Sequence, residues 1–355
     1  MSLPVHRSHE RSAADRGFAF GRAHAERVEN TVGAYRRLFR AACDLGAGDV
    51  RSAGAQVRET LGRWPDLVEE IAALADGAGQ DELELMAINA RTELLAGARR
   101  PECTFVGGLP RATAGGRVLM AQNWDWHPDL ARSLVLWTVS EPSGGWFTTL
   151  TEAGILAKIG LNSRRLGCCL NLLGSVDDGG LHGVPVHILL RLLLQRCDTL
   201  TDALRLLLTA RVAASSSIDV GYADESGGAV VAVELSPAGS HLVWPEPAGW
   251  LVHTNHFLGT AAARDRLAAE WPDTFVRWSD AREPLAGGTG PLTAEDLQGV
   301  LRSHFNRPLS VCCHDADHPD YADRQQTLAS VVIDLTDLRL TIAPGPPCEA
   351  PYADV

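Results

Sequence analysis

Apolar positions before residue 103 recur at helical spacing; after it they recur every second residue. Val28, Val32, Tyr35, Phe39 and Ala42 form one stripe and predict a helix within 19–45. Pro65 opens a second helix, with Leu67, Ile71 and Leu74 as its buried face and Gly77 near its stop. Asp81 followed by Glu84 resembles a capping box for a third, running through residue 95. From Cys103 the alternation predicts strands over 103–106, 118–123, 133–140, 146–151, 156–162 and 166–172, with hairpin turns at Gly115-Gly116 and Ser143-Gly144-Gly145. Two helices follow, over 186–196 and 201–209. Strands resume over 218–222, 230–235, 241–244 and 251–254. Short helices over 265–270 and 293–303 precede a closing hairpin over 330–334 and 338–343.

A meander, two helices and a second meander predict an α+β protein of two packed antiparallel sheets with helices outside. The 355 residues are 45% hydrophobic, enough for a substantial core, and no shift in composition marks a linker after Cys103. One compact domain is expected, with the N-terminal helices packed onto it.

Charge and cysteine content narrow the function classes. The net charge of −12, with no long basic run, argues against nucleic-acid binding. No eighteen-residue apolar run occurs, and Met1 to Arg22 hold no apolar signal core, so a cytoplasmic protein without a membrane partner is expected. The eight cysteines fit no disulfide framework. Two pairs, Cys168-Cys169 and Cys312-Cys313, are adjacent, and adjacent strand residues point to opposite faces. Cys312-Cys313-His314 with Asp315, Asp317 and His318 fits no standard zinc spacing, so no metal site is expected and the segment is read as a loop at the mouth of the active site. Lys158 is the only lysine in the chain.

The candidate chemistry begins with Cys103 in Pro-Glu-Cys-Thr-Phe, at the switch from helical to strand periodicity. Gln122-Asn123-Trp124-Asp125-Trp126 follows on a neighbouring strand, and His253-Thr254-Asn255-His256 much later. A cysteine, a carboxylate and an amide in this order are the parts of a nucleophile with orienting groups. Together with Glu152 to Ser163, with Arg324 and Thr327-Leu328, and with Gly17 to Ala25, these segments resemble the acyl-CoA:isopenicillin-N acyltransferase family. That family is a branch of the N-terminal-nucleophile hydrolases.

The resemblance implies a four-layer αββα sandwich and a proenzyme that cuts itself before its nucleophilic cysteine. Residues 1–102 would then form an N-terminal helical segment and 103–355 the catalytic core, the two fragments staying associated. Cys103 would be the nucleophile, Asp125 and Arg324 a charged pair beside it, and Asn255 the donor to the oxyanion. Glu102, Cys103 and Ser215 would serve processing. Glu102 is a departure, because the penicillin enzyme has glycine there. Arg264 and Arg266 are spaced differently from a basic pair in that enzyme. Trp124, Trp126, Lys158 and His256 are candidates for substrate contact, and Glu152 is a candidate partner for Lys158. No cofactor is expected, with an acyl thioester as co-substrate and a small amine as acceptor. An amidase acting on N-acyl amino acids or peptides uses the same nucleophile. A non-catalytic scaffold and a papain-like protease with a later histidine as base are the competing classes.

Overall fold

A computed structural model of the chain describes residues 3–355 apart from residues 97, 99–102, 143 and 289. Glu102, expected to serve processing, and Ser143 of the second predicted turn lie outside the described residues. The first seven strands are β1 (Val5–Ser8), β2 (Cys103–Gly108), β3 (Leu119–Trp126), β4 (Leu134–Ser140), β5 (Trp146–Glu152), β6 (Ile159–Asn162) and β7 (Leu166–Leu172). Then come β8 (Ser216–Asp224), β9 (Gly227–Ser236), β10 (Gly239–Val243), β11 (Trp250–His253), β12 (His314–Asp315), β13 (Gln325–Asp334), β14 (Arg339–Ala343) and β15 (Ala353–Asp354).

They form two sheets. One runs β1-β4-β5-β6-β7-β8-β9-β10; the other runs β11-β2-β3-β13-β14-β15, with β12 paired to β13. Their inner faces meet closely. A Cβ on Gly107 of β2 would lie 2.6 Å from Val230 of β9, and one on Gly221 of β8 would lie 2.5 Å from Met120 of β3. Helices Val186–Arg196 and Leu200–Thr209 cover the outside of the first sheet, where Asn162 donates to the Leu194 and Cys197 carbonyls. Helices Asp273–Gly287 and Ala294–Leu301 cover the second, sharing an apolar layer of Val106, Leu119, Val252, Ala281 and Leu297. The layers are therefore helix, sheet, sheet, helix, and inner strands such as β2 and β3 are buried on both faces.

Two features depart from the expected pattern. The segment before Cys103 is not purely helical, because β1 pairs in parallel with β4 and extends the first sheet. The helix expected over 19–45 is two, Ala13–Ala23 and Ala25–Cys43, broken at His24, where φ is −123°. The first of these packs on helix Pro65–Ala78 through glycines. A Cβ on Gly17 would sit 2.2 Å from the Glu70 carbonyl oxygen, and one on Gly77 would sit 2.3 Å from that of Phe18. Larger residues there would force the helices apart.

Glu70 locks this arrangement. Its carboxylate takes a bidentate pair from Arg16 at 3.0 and 2.6 Å and is also held by Arg191 at 3.0 and 2.7 Å. All three side chains are buried, so the N-terminal helices are joined to helix Val186–Arg196 of the core by charge as well as by packing. Burial pushes the Arg191 guanidinium down from its ordinary range, and the Glu70 charge opposes that. Glu70→Gln leaves two buried guanidiniums without their counter-charge. Chemical denaturation is expected to show a loss of about 3–5 kcal/mol. An unchanged unfolding midpoint would show that the triad does not hold the segment to the core.

Candidate active site

Cys103 opens β2, an inner strand flanked by β11 and β3, and faces Trp124 across the ladder. Its peptide group is held on every polar atom. The N–H donates to Asn255 Oδ1 at 2.9 Å. The carbonyl accepts from Arg277 Nη1 at 2.9 Å and from Asn171 Nδ2 at 3.2 Å. Arg277 also donates through Nη2 to Asn255 Oδ1 at 3.1 Å, and its Nε donates to Asp273 at 3.2 Å. Asn171 reaches across from the other sheet and also donates to the His253 carbonyl. Beside it, Gln122 donates to Leu170 O and Asn171 Oδ1 and accepts from the Leu170 N–H. Each inward amide thus finds partners in the low-dielectric space between the sheets, where an unpaired one is costly.

The thiol points into a cleft lined by Arg91, Thr92, Asp125, Trp126, Lys158, Leu170 and Leu172. The cavity measures about 20 Å³, room for a single water and not for an acyl chain. Binding a substrate here requires the cleft to widen. Burial pushes the Cys103 thiol up to about 11, against the pull of the Lys158 charge. Lys158 is itself buried, with Nζ 3.7 Å from the centre of the Trp124 ring. Burial, reinforced by the Arg91 charge, brings its amine down to about 7.

Asp125 accepts from Thr327 Oγ1 at 2.5 Å, and its own carbonyl lies 3.9 Å from Cys103 Sγ. The expected Asp125–Arg324 pair is not among the ion pairs of the described residues. Arg324 instead donates through Nε to the His318 carbonyl at 3.0 Å, because it leaves β13 at the turn before Gln325. Asn255 stands at the nucleophile, but with its acceptor end on the Cys103 nitrogen; its Nδ2 donates to the Leu172 carbonyl at 2.8 Å. Ser215 donates to Asp178 at 2.6 Å, away from the cleft lining. Trp126 lines the cleft, with its Nε1 on Tyr35, whereas Trp124 is wholly buried beneath Lys158. Glu152 is held by Tyr35 and Arg91 rather than by Lys158. His256 packs on Phe275 and Thr274 of helix Asp273–Gly287, outside the cleft, and burial pushes it down to about 3. Arg264 and Arg266 are each paired, with Asp177 and Glu270.

His253 is no general base. Both of its ring nitrogens face acceptors, the Thr254 carbonyl at 2.9 Å and Glu234 at 3.1 Å, so both carry protons. Burial opposes that charge, but the Glu234 hydrogen bond and the nearby acids keep the ring above its ordinary range. The papain-like reading therefore lacks a free imidazole at either His253 or His256. Arg277, Asn171 and Arg91 were not foreseen. Arg277 sits on a helix with Pro284 inside it and weak apolar periodicity, so the helix itself left little trace in the pattern. Its one sequence signal is Asp273, four residues earlier, on the same helical face.

The fold is thus an αββα sandwich whose inner strand begins with a buried, peptide-clamped cysteine. The family described as acyl-coenzyme A:6-aminopenicillanic acid acyl-transferase matches residues 112–348. The 40 kDa form of acyl-coenzyme A:6-aminopenicillanic-acid-acyltransferase from Emericella nidulans is 30% identical over 289 residues, covering 80% of this chain and 76% of that protein. The chain belongs to this acyltransferase family. Among solved structures, penicillin V acylase from Agrobacterium tumefaciens aligns with a TM-score of 0.42 and 16% identity, over 68% of this chain and 83% of its own. A mutant conjugated bile acid hydrolase from Clostridium perfringens aligns with a TM-score of 0.42 and 11% identity, over 71% of this chain and 92% of its own. No helix among the described residues is long and apolar enough to cross a membrane.

The buried thiol sets a pH dependence. Only the thiolate reacts with iodoacetamide, and a thiol raised to about 11 ionises further with each step up in pH. Labelling of Cys103 in the uncleaved chain is expected to rise about tenfold per pH unit between neutrality and its pKa. Lys158→Met removes a neighbour whose positive charge is lost as pH rises through about 7, so it should slow labelling below neutrality and change it little at higher pH. Rapid, pH-independent labelling at neutral pH would contradict the assignment.

Proposed function

We propose that the chain cuts itself between Glu102 and Cys103 and then moves an acyl group from a thioester to the amine of a small metabolite. The observation that carries this reading is the clamp on the Cys103 backbone. The polar groups nearest the nucleophile hold its nitrogen and carbonyl rather than supply a histidine base. Such a site suits a residue whose own α-amine becomes the base once the preceding peptide bond is gone. The family and the Emericella nidulans relative, named for an acyl-coenzyme A donor and an aminopenicillanic acid acceptor, support the donor class.

In the uncleaved chain no such amine exists. Lys158, brought down to about 7 by burial, is the proposed proton acceptor. The Cys103 sulfur attacks the Glu102 carbonyl, the C–N bond breaks, and the nitrogen takes a proton. Water then hydrolyses the thioester, releasing the Glu102 carboxylate, the thiol and a free α-amine. That amine, with an ordinary pKa of about 7.7–8.0, accepts the thiol proton in each turnover. The thiolate displaces the donor's thiol, and the acceptor amine resolves the acyl-enzyme as an amide. Asn255, now fixed on the nitrogen, is proposed to turn a donor toward the tetrahedral oxyanion. Tyr35, Arg91 and Glu93, all from the segment before Cys103, bond to core residues at or beside the cleft, which supports the fragments staying associated.

Three measurements test this. The larger fragment should begin Cys-Thr-Phe-Val by N-terminal sequencing, and Cys103→Ala should abolish both cleavage and turnover. Incubation with an acyl-CoA should release free CoA faster when an amine is present and yield the amide. Release unaffected by amines, with the free acid as product, would make the enzyme a hydrolase instead. Asn255→Ala should lower kcat about 100–1,000-fold. Asn255→Asp keeps an acceptor for the nitrogen but loses the donor, so full activity in that variant would remove the oxyanion role.

A further inference from the structure

Four side chains with metal-binding atoms converge around β12, at the same end of the second sheet as Cys103 but outside the lining of its cleft. They are His304, Cys312, His314 and Cys348, whose ligand atoms all lie within 4.8 Å of one another. Cys312 Sγ is 3.6 Å from Cys348 Sγ and 3.4 Å from His314 Nε2. Cys348 Sγ is 3.3 Å from His314 Nε2, and the two imidazole Nε2 atoms are 3.3 Å apart. Zinc bonds of about 2.3 Å to sulfur and 2.0–2.1 Å to nitrogen, at tetrahedral angles, place sulfurs about 3.8 Å apart, sulfur and nitrogen about 3.5 Å, and nitrogens about 3.3 Å. These four separations are within about 0.2 Å of that geometry, and His304 offers its nitrogen within 4.8 Å of both sulfurs. A sulfur–sulfur distance of 3.6 Å is also too long for a disulfide, which needs about 2.05 Å.

We propose that His304, Cys312, His314 and Cys348 bind one structural zinc ion. The absence of a metal expected from the spacing followed from pairing Cys312 with Cys313. In the fold Cys312 meets Cys348, 36 residues later, while the Cys313 N–H turns away to Thr327. Two thiolates and two neutral imidazoles make the zinc complex uncharged, which suits a site that is part buried and part exposed. Binding releases the two thiol protons. Four protein ligands leave no open position, so the site is structural rather than catalytic. His314 offers Nε2 to the ion, and its Nδ1 lies 3.7 Å from the exposed Glu349 carboxylate.

The ion would tie the segment after β14 to the loop that leads into β12. That loop matters to the active site, because Cys313 N–H donates to Thr327 Oγ1 and Thr327 donates to Asp125. Full-length protein, purified without a metal-affinity step, is expected to carry about one zinc per chain by elemental analysis. Replacement by cobalt should give the intense visible bands of a tetrahedral site and thiolate-to-cobalt charge transfer. Cys348→Ser should be purified with little zinc and, when saturated with cobalt, should show about half of that charge-transfer intensity. Removing zinc from the unaltered protein should lower its melting temperature reversibly, so the result does not depend on any variant folding. Metal-free protein whose chelated form takes up no cobalt overturns the proposal. So does a Cys312–Cys348 disulfide found by peptide mass, or zinc retained in full by Cys348→Ser.

Discussion

The peptide group of Cys103 is the fixed point of this molecule. Its nitrogen is tied to Asn255 and its carbonyl to Arg277 and Asn171. These partners come from the end of β11, from an outer helix and from the opposite sheet. Both sheets and one helical layer must therefore be in place before the residue is fully bonded. A buried amide or carbonyl left without its partner is destabilising by about 1–3 kcal/mol, so the folded state is tuned to one backbone position as much as to a side chain.

The electrostatics follow from the same burial. A dry cleft raises the thiol and lowers Lys158, so near neutral pH the sulfur keeps its proton while the amine is near its midpoint. Two groups whose ordinary values lie on opposite sides of ten are brought into an order that discourages spontaneous ionisation of the sulfur. Further out, charge is used for attachment. The Arg16–Glu70–Arg191 triad and the Arg91–Glu152 pair bind the N-terminal segment to the core at sites that water does not reach. Such pairs are poor sources of net stability, but breaking one is severe, so they fix the N-terminal segment on the core.

The period-two pattern located the central strands to within a few residues, and the two helices over 186–196 and 200–209 were as clear. Asp81 does cap its helix, accepting from the Leu83 and Glu84 N–H groups. Less regular elements left no such trace. β1 is four residues long and precedes a helix, and its partner β4 lies some 130 residues later, so nothing local marks it as a strand. The helix Asp273–Gly287 carries a proline and an exposed phenylalanine, which blur its apolar face. With that helix unseen, Arg277 could not be placed beside Cys103.

Sequence alone determined the alternation that builds two sheets, the break in periodicity at Cys103, and the order of Cys103, Asp125 and Asn255 along the chain. These are local or ordered properties, and periodicity and motif spacing report them directly. The tertiary structure decided which groups meet. It put Arg277 and Asn171 on the Cys103 carbonyl, gave Asp125 to Thr327 rather than to Arg324, and turned the acceptor end of Asn255 to the nitrogen. It also brought Cys348 to Cys312 and His314. Each of these is a contact between residues far apart in the chain. Only the packing of sheets and helices fixes such distances, because no periodicity along the chain encodes how two remote segments come together.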